Sequence, residues 1–208
     1  EIVKTNIRNI IILLSLCFVL FLSFQIYSFY ISNKIQKNSI SFFAAQNTDD
    51  TNVITDTITK LSNDNTFYGV LAKLELIDLS LKQNNIQDSV SMYLEVINTN
   101  NLDAVYKSAI ASKASYQLID INLDDLSSDY LNIINDFISY IDEDTDSYKG
   151  IKLELEYLTK ILEAEKNSID YSSFNEVNDI YENIMSSDVV SSAIKERVNK
   201  IHEFYSNK

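Results

Sequence analysis

Four glutamates close together in sequence, Glu154, Glu156, Glu163 and Glu165, are the natural place to look for acid–base chemistry. Paired carboxylates do such work when their surroundings push their pKa values apart, or when a histidine or cysteine shares the proton. No histidine or cysteine lies near these four, and their alternation along one helical pattern reads as a solvated face. The segment Asp142-Glu143-Asp144-Thr145-Asp146 has the carboxylate density of a calcium loop. It lacks the glycine turn and the closing bidentate glutamate of an EF-hand, so it reads as a charged linker. His202 is the single histidine of the chain. It adjoins Ile201 on a C-terminal amphipathic pattern, where it reads as a surface residue. Cys17, the single cysteine, lies within an apolar run and offers neither an internal disulfide nor a zinc set. No glycine-rich phosphate loop and no nucleophile–base pair occurs. The expectation is therefore a protein with no catalytic, cofactor or metal residues, acting by binding rather than as an enzyme.

That expectation moves attention to the elements themselves. No charged residue occurs between Arg8 and Lys34, and Ile10 to Tyr30 is apolar apart from Ser15, Ser23, Gln25 and Ser28. As a helix this run reaches roughly 30 Å, the thickness of a bilayer's hydrocarbon core. Tyr27 and Tyr30 suit the membrane interface, and Lys34 and Lys37 follow them into water. A cleavable signal peptide would have a shorter apolar core and a small-x-small site directly after it. The nearest small pair, Ala44-Ala45, lies well beyond the run, so an uncleaved anchor is expected. Lys4 and Arg8 precede the run and Lys34 and Lys37 follow it, so flanking charge assigns no orientation.

About 170 residues follow the anchor, enough for one domain or a short repeat array. The formal net charge is −13, and residues 9–208 carry −14 because Glu1, Lys4 and Arg8 sum to +1. Such a surface repels nucleic acid and anionic headgroups and favours basic or unfolded protein partners. The chain has two glycines, Gly69 and Gly150, and no proline. All-β folds depend on both for their turns, so this scarcity favours long helices joined by Asn, Asp and Ser.

Helical periodicity bears this out along the chain. Lys34 to Ala45 continues the first helix outward, Gln46 to Asn52 reads as a loop, and Val53, Ile54, Ile58 and Leu61 mark a short helix. From Thr66 to Gln83 two apolar stripes predict a helix sandwiched between neighbours. Asn84-Asn85 breaks it, and Ile86 to Asn98 carries a single stripe. The pair then recurs: Leu102 to Leu118, a turn at Asp120 to Asn122, and a helix striped by Leu126, Tyr130, Ile133, Ile134, Phe137 and Ile141. A third pair follows the acidic linker. Its first helix runs through Tyr148, Ile151, Leu155, Leu158 and Leu162, and Ser173 with Glu176 offers a capping box for its second. A final helix, Val189 to Tyr205, would cap the stack. The second helices share a Tyr-x-x-aliphatic-aliphatic register at Tyr93, Tyr130 and Tyr181. The first two tyrosines are 37 residues apart, close to the tetratricopeptide period of about 34. These tyrosines are expected to pack each second helix under the next repeat.

One segment is more specific. Tyr68-Gly69-Val70-Leu71-Ala72-Lys73-Leu74-Glu75-Leu76 resembles the Tyr-Gly-x-Leu-Ala-x-Leu-Glu-Leu motif of the bacterial YfgM family of tetratricopeptide-like proteins. Tyr68, Gly69, Leu71, Ala72, Leu74, Glu75 and Leu76 match it position by position, and Ile77 departs from the alanine common in that family. The resemblance implies a single-pass protein of the bacterial inner membrane, with its N-terminus cytoplasmic and its helical domain periplasmic. It also implies association with Sec translocon subunits and periplasmic chaperones, and transfer of newly translocated clients.

The expected organisation is all-α: an N-terminal flank over 1–9, a transmembrane helix over 10–33, a membrane-proximal segment over 34–64, and a tetratricopeptide-like solenoid over 65–208. The expected function is that of a membrane-anchored adaptor or chaperone, with no nucleic-acid or small-molecule ligand. A structural scaffold for another envelope complex is the alternative.

Overall fold

A computed structural model of the chain describes residues 2–64, 66–99, 102–126, 129–142, 146–169, 171 and 174–207. Among the described residues there are nine helices and no strand. They are α1 (Ile2–Gln46), α2 (Thr51–Ser62), α3 (Phe67–Lys82), α4 (Ile86–Ile97), α5 (Ala104–Asp124), α6 (Leu131–Ser139), α7 (Asp146–Lys166), α8 (Asn175–Ser186) and α9 (Ser192–Ser206). The chain divides into two compact units, Glu1–Ser89 and Val90–Lys208.

In the first unit α1 runs 45 residues without a break. It is long and apolar enough to cross a membrane. From Ile11 to Tyr30 its large apolar side chains are between 43% and 70% exposed, so no part of the unit covers them. From Ile31 onward the less exposed positions recur at helical spacing, through Lys34 and Asn38 to Phe42 and Ala45. Phe42 and Ala45 are buried with Ile58 and Leu61 of α2 and Ala72 of α3. The C-terminal third of α1 thus supplies core to the helices that follow it. Asp50 caps α2 by accepting from the backbone N–H of Asn52 at 3.0 Å and of Val53 at 3.4 Å. Between α3 and α4 the chain turns at Asn84, whose φ of 63° is left-handed, a conformation asparagine tolerates better than most residues.

In the second unit α7 is central, packing on α5, α6, α8 and α9. The buried face of α5 is built from small residues, including Ser108, Ala111, Ser112, Ala114 and Ser115. Its hydroxyls are satisfied locally: Ser112 Oγ donates to the Ser108 carbonyl at 2.7 Å and Ser115 Oγ to that of Ala111 at 2.9 Å. Ser108 Oγ instead accepts from the backbone N–H of Asp142 at 3.0 Å. A second core gathers Tyr157 and Ile161 of α7, Val177 and Ile184 of α8, Ile194 and Val198 of α9, and Tyr171 and Val190 from the connecting chain.

The structure corrects two expected helix boundaries in this unit. Asp120 to Asn122 is not a turn, because α5 continues to Asp124. Leu118, Ile119 and Asn122 are buried there, and the Asn122 amide donates to the Leu118 carbonyl at 3.1 Å, within the helix rather than breaking it. The helix expected from Leu126 begins only at Leu131, with Tyr130 as its N-cap residue. Asp125, which ends α5, and Asp129 precede it, and aspartate competes with helical hydrogen bonding. Asp129 is held instead by Lys166 at the end of α7, at 2.8 Å. The capping box at Ser173 and the linker residues Glu143 to Thr145 lie outside the described residues. The N-cap of α8 is Phe174.

Candidate functional site

The densest polar constellation lies around α7 and α9 of the second unit. Glu154 stands on the apolar side of α7 and is 2% exposed. Arg197, on α9, reaches it with both arms of the guanidinium: Nε donates to Oε1 at 2.8 Å and Nη2 to Oε2 at 2.7 Å. The Tyr116 hydroxyl, from α5, donates to Oε2 at 2.8 Å. The carboxylate is thus saturated by three charge-matched or polar donors, the arrangement that a buried charge requires. Its partners respond in turn. Bonding to Glu154 raises the Arg197 pKa despite partial burial, and burial together with the adjacent carboxylate pushes the Tyr116 hydroxyl up. The solvated-face expectation for Glu154 is therefore wrong, whereas Glu156, Glu163 and Glu165 remain partly exposed. All of its partners are distant in sequence, which hid them.

Beside this pair, the Tyr157 and Tyr171 hydroxyls are 2.5 Å apart, and Tyr171 Oη lies 2.8 Å from His202 Nδ1. The His202 ring stacks on Tyr181, with centroids 3.7 Å apart and planes 11° from parallel. Tyr181 Oη donates to Asn199 Oδ1 at 2.6 Å. Burial pushes the Tyr157 and Tyr171 hydroxyls up and the His202 imidazole down, so all three are held neutral. His202 is half-buried, with Nδ1 hydrogen-bonded to the Tyr171 hydroxyl, rather than the surface residue expected. Its spacing from Val198, Ile201 and Tyr205 places it on the buried side of α9, a signal present in the sequence. A chain of neutral, mutually satisfied hydroxyls offers neither a poised base nor an activated nucleophile. What it does is fasten α9 and Tyr171 to α7. Among the described residues, no three His, Cys, Asp or Glu side chains converge as a metal site needs.

The three register tyrosines have different fates. Tyr93 is buried, packs edge-to-face on Phe137 at 5.9 Å, and donates its hydroxyl to Gln117 Oε1. Tyr181 stacks on His202 as above. Tyr130 stands outside the helix it was expected to stripe, and its carbonyl accepts from the Ile134 N–H at 2.8 Å.

The motif residues of α3 act together. Tyr68, Leu71 and Leu76 pack, with buried Ala72, against the core that Phe42, Ala45, Ile58 and Leu61 form. Gly69 is needed by contact rather than by dihedral angle. A Cβ there would collide with the Asp64 carbonyl oxygen and lie 3.1 Å from that of Leu61. Glu75 is exposed and accepts from Gln46 Nε2 at 3.2 Å, and Leu74 is half-buried. Six of these positions therefore hold α3 against α1 and the end of α2. Where α1 leaves its exposed stretch, Lys34 pairs with Asp64 at 3.0 Å and the Asn38 amide donates to Thr66 Oγ1 at 3.0 Å. Burial pushes the Asp64 carboxyl up, but bonds from Asn38 and Lys34 outweigh it and hold the group below the usual carboxylate range.

On the second unit an open apolar groove is lined by Leu123, Leu158, Ile161, Ile201, Phe204 and Tyr205, with Lys200 at its rim. Phe204 is 64% exposed, and Lys200 is turned to Glu196 at 2.7 Å. Such a lining suits an apolar side chain. The chain matches no protein-family model, no curated protein sequence and no solved structure.

Proposed function

We propose that the protein is a single-span, membrane-anchored helical module that works by binding other proteins. The observation that carries this reading is the exposure of every large apolar side chain from Ile11 to Tyr30. A free-standing water-soluble chain does not leave a stretch of that size uncovered. Ser23 supports it, since its hydroxyl donates to the Val19 carbonyl at 2.9 Å and needs no water. Beyond the span, saturated polar clusters favour binding over chemistry, and the net charge of −13 favours basic or unfolded partners.

The finer form of the proposal is a tetratricopeptide-like adaptor or holdase at the Sec translocon, with its helical part on the periplasmic side of a bacterial inner membrane. Two things support it: the Tyr68 to Leu76 segment, and the order of packing in the second unit. There α5 lies against α6 and α7 against α8, α5 and α7 adjoin, and α9 closes on α7 and α8. That is the neighbour pattern of stacked hairpins with a terminal cap.

Purification of the full chain from native membranes in mild detergent, after crosslinking, tests the proposal. Recovery of translocon subunits, lost when residues 35–208 are deleted, is the expected result. Recovery of another envelope complex instead overturns the translocon form and leaves a scaffold. A chain that is extracted from membranes by alkaline carbonate overturns the anchor itself.

A further inference from the structure

Immediately beyond the exposed stretch of α1, a polar cavity of about 490 Å³ opens between α1 and α2. Lys34 and Lys37 of α1 and Lys60 of α2 line it, together with the hydroxyls of Ser41 and Thr57. Two carboxylates also face it, and their charges do not cancel the lysines. Asp64 is already bound by Lys34 and by the backbone N–H of Thr66 at 3.0 Å. Asp56 is a single turn of α2 from Lys60 and lies on the exposed side of the helix. Lys37 and Lys60 are exposed and form no ion pair among the described residues. Three ammonium groups against two carboxylates leave a positive excess, in a chain whose net charge is −13.

The depth of the cavity identifies its ligand. At about 1.5 Å per residue, Lys34 lies roughly 6 Å and Lys37 roughly 10 Å beyond Tyr30 along α1. The headgroup layer begins where the apolar span ends and is about 5–8 Å thick. Helical side chains lean toward the N-terminus, here toward the span. Lys34 therefore lies in that layer, and the Lys37 ammonium reaches back to its outer edge, at the level of the lipid phosphates that lysines bind. We infer that its membrane-near end is a binding site for the phosphate of an anionic phospholipid headgroup, held between Lys37 and Lys60. The inference rests on the reading that Ile11 to Tyr30 lies in a bilayer. The short-range site overrides the chain's overall repulsion of anionic lipid because screening confines that repulsion to about 10 Å.

Native mass spectrometry of the full chain in detergent, with equal amounts of dioleoyl phosphatidylglycerol and dioleoyl phosphatidylcholine, tests it. Retention of phosphatidylglycerol over phosphatidylcholine by about thirtyfold is expected, from two lysines acting near one phosphate. Lys37→Gln/Lys60→Gln should abolish the preference, and Lys82→Gln/Lys149→Gln should leave it intact. Equal retention of the two lipids, or a preference unchanged by Lys37→Gln/Lys60→Gln, overturns the inference. A third arm adds excess inorganic phosphate. Phosphatidylglycerol that stays bound supports a lipid source, and its displacement by a phosphate adduct overturns it in favour of free phosphate. Flotation with liposomes of phosphatidylcholine alone separates the two readings. A chain that fails to float loses the membrane span, whereas one that floats without lipid preference loses only the headgroup site.

Discussion

Arg197 and Glu154, 43 residues apart in sequence, meet through two parallel hydrogen bonds of 2.8 and 2.7 Å. The carboxylate is buried, and the arginine side chain is 54% exposed. Removing the arginine strands a charge that Tyr116 alone cannot satisfy. Arg197→Met should therefore destabilise the second unit by about 3 kcal/mol, the lower end of the range for breaking a buried pair, because water reaches the guanidinium. The apolar triple replacement Glu154→Leu/Arg197→Met/Tyr116→Phe should lose less than Arg197→Met alone. Urea denaturation of the three chains checks both statements, and a triple variant weaker than the single one would refute the account.

The two glycines should respond differently to alanine. At Gly69 the new methyl meets backbone, including the Asp64 carbonyl carbon at 2.8 Å, so the end of α2 must be displaced. Gly69→Ala is expected to destabilise the first unit by about 3 kcal/mol. At Gly150 the nearest atom is the Ile194 Cδ1 at 3.3 Å, the far end of a flexible side chain. Alanine's helix propensity, worth about 1 kcal/mol over glycine, offsets that crowding, and Gly150→Ala should be near neutral. Thermal unfolding of both variants against the parent distinguishes them.

His202 makes stability depend on pH. Its folded pKa is lowered from 6.5, by burial first, with Glu203 opposing. The unfolded chain therefore takes up a proton at a pH where the folded chain does not, and stability rises with pH across that interval. The neutral ring's contribution is full above 6.5 and is lost as pH falls through the folded value. His202→Phe should be weaker than the parent by about 1 kcal/mol near neutrality, from the lost bond to Tyr171. The gap should narrow as the medium is acidified below pH 6.5. Paired melts across that range test this, and a constant gap would show that His202 does not titrate with folding.

The C-terminal third of α1 belongs to the core of the first unit. A chain beginning at Ile31 should fold its first unit in water, whereas one beginning at Asn47 should not, because it lacks Phe42 and Ala45. Phe42→Ala in the longer chain should remove about 3–4 kcal/mol. Limited proteolysis between α2 and α3 reports the loss. Equal protection of both truncated chains would show that α2 and α3 hold together without α1.

The helices were legible wherever apolar spacing and a breaker agreed. Phe67 to Lys82 lies within the expected Thr66 to Gln83, and Asn84 ends it through its positive φ. The pattern misled where polar residues were buried. Asn122 looks like a turn residue, yet its amide bonds one turn back and α5 continues. Glu154 looks solvated because Lys152 and Glu156 alternate with it, although Ile151 and Leu158, three and four residues away, place it on the apolar stripe. The partner that makes its burial possible lies on α9. Long-range pairing of this kind leaves no local trace. The one hint was compositional, since Arg197 is one of only two arginines in a lysine-rich chain and has the planar fork that a buried carboxylate needs. The Lys34 cavity was equally hidden, because Lys60 joins Lys34 and Lys37 only once α2 folds back on α1.

The unbroken course of α1 has a mechanical meaning. Forty-five residues in one helix make a rod about 68 Å long, with no proline, glycine or loop to absorb torsion. Phe42, Ala45 and the Lys34–Asp64 contact clamp α2 and α3 to one side of that rod. Turning the apolar half about its own axis therefore swings α2 and α3 through the same angle, as a shaft turns a crank.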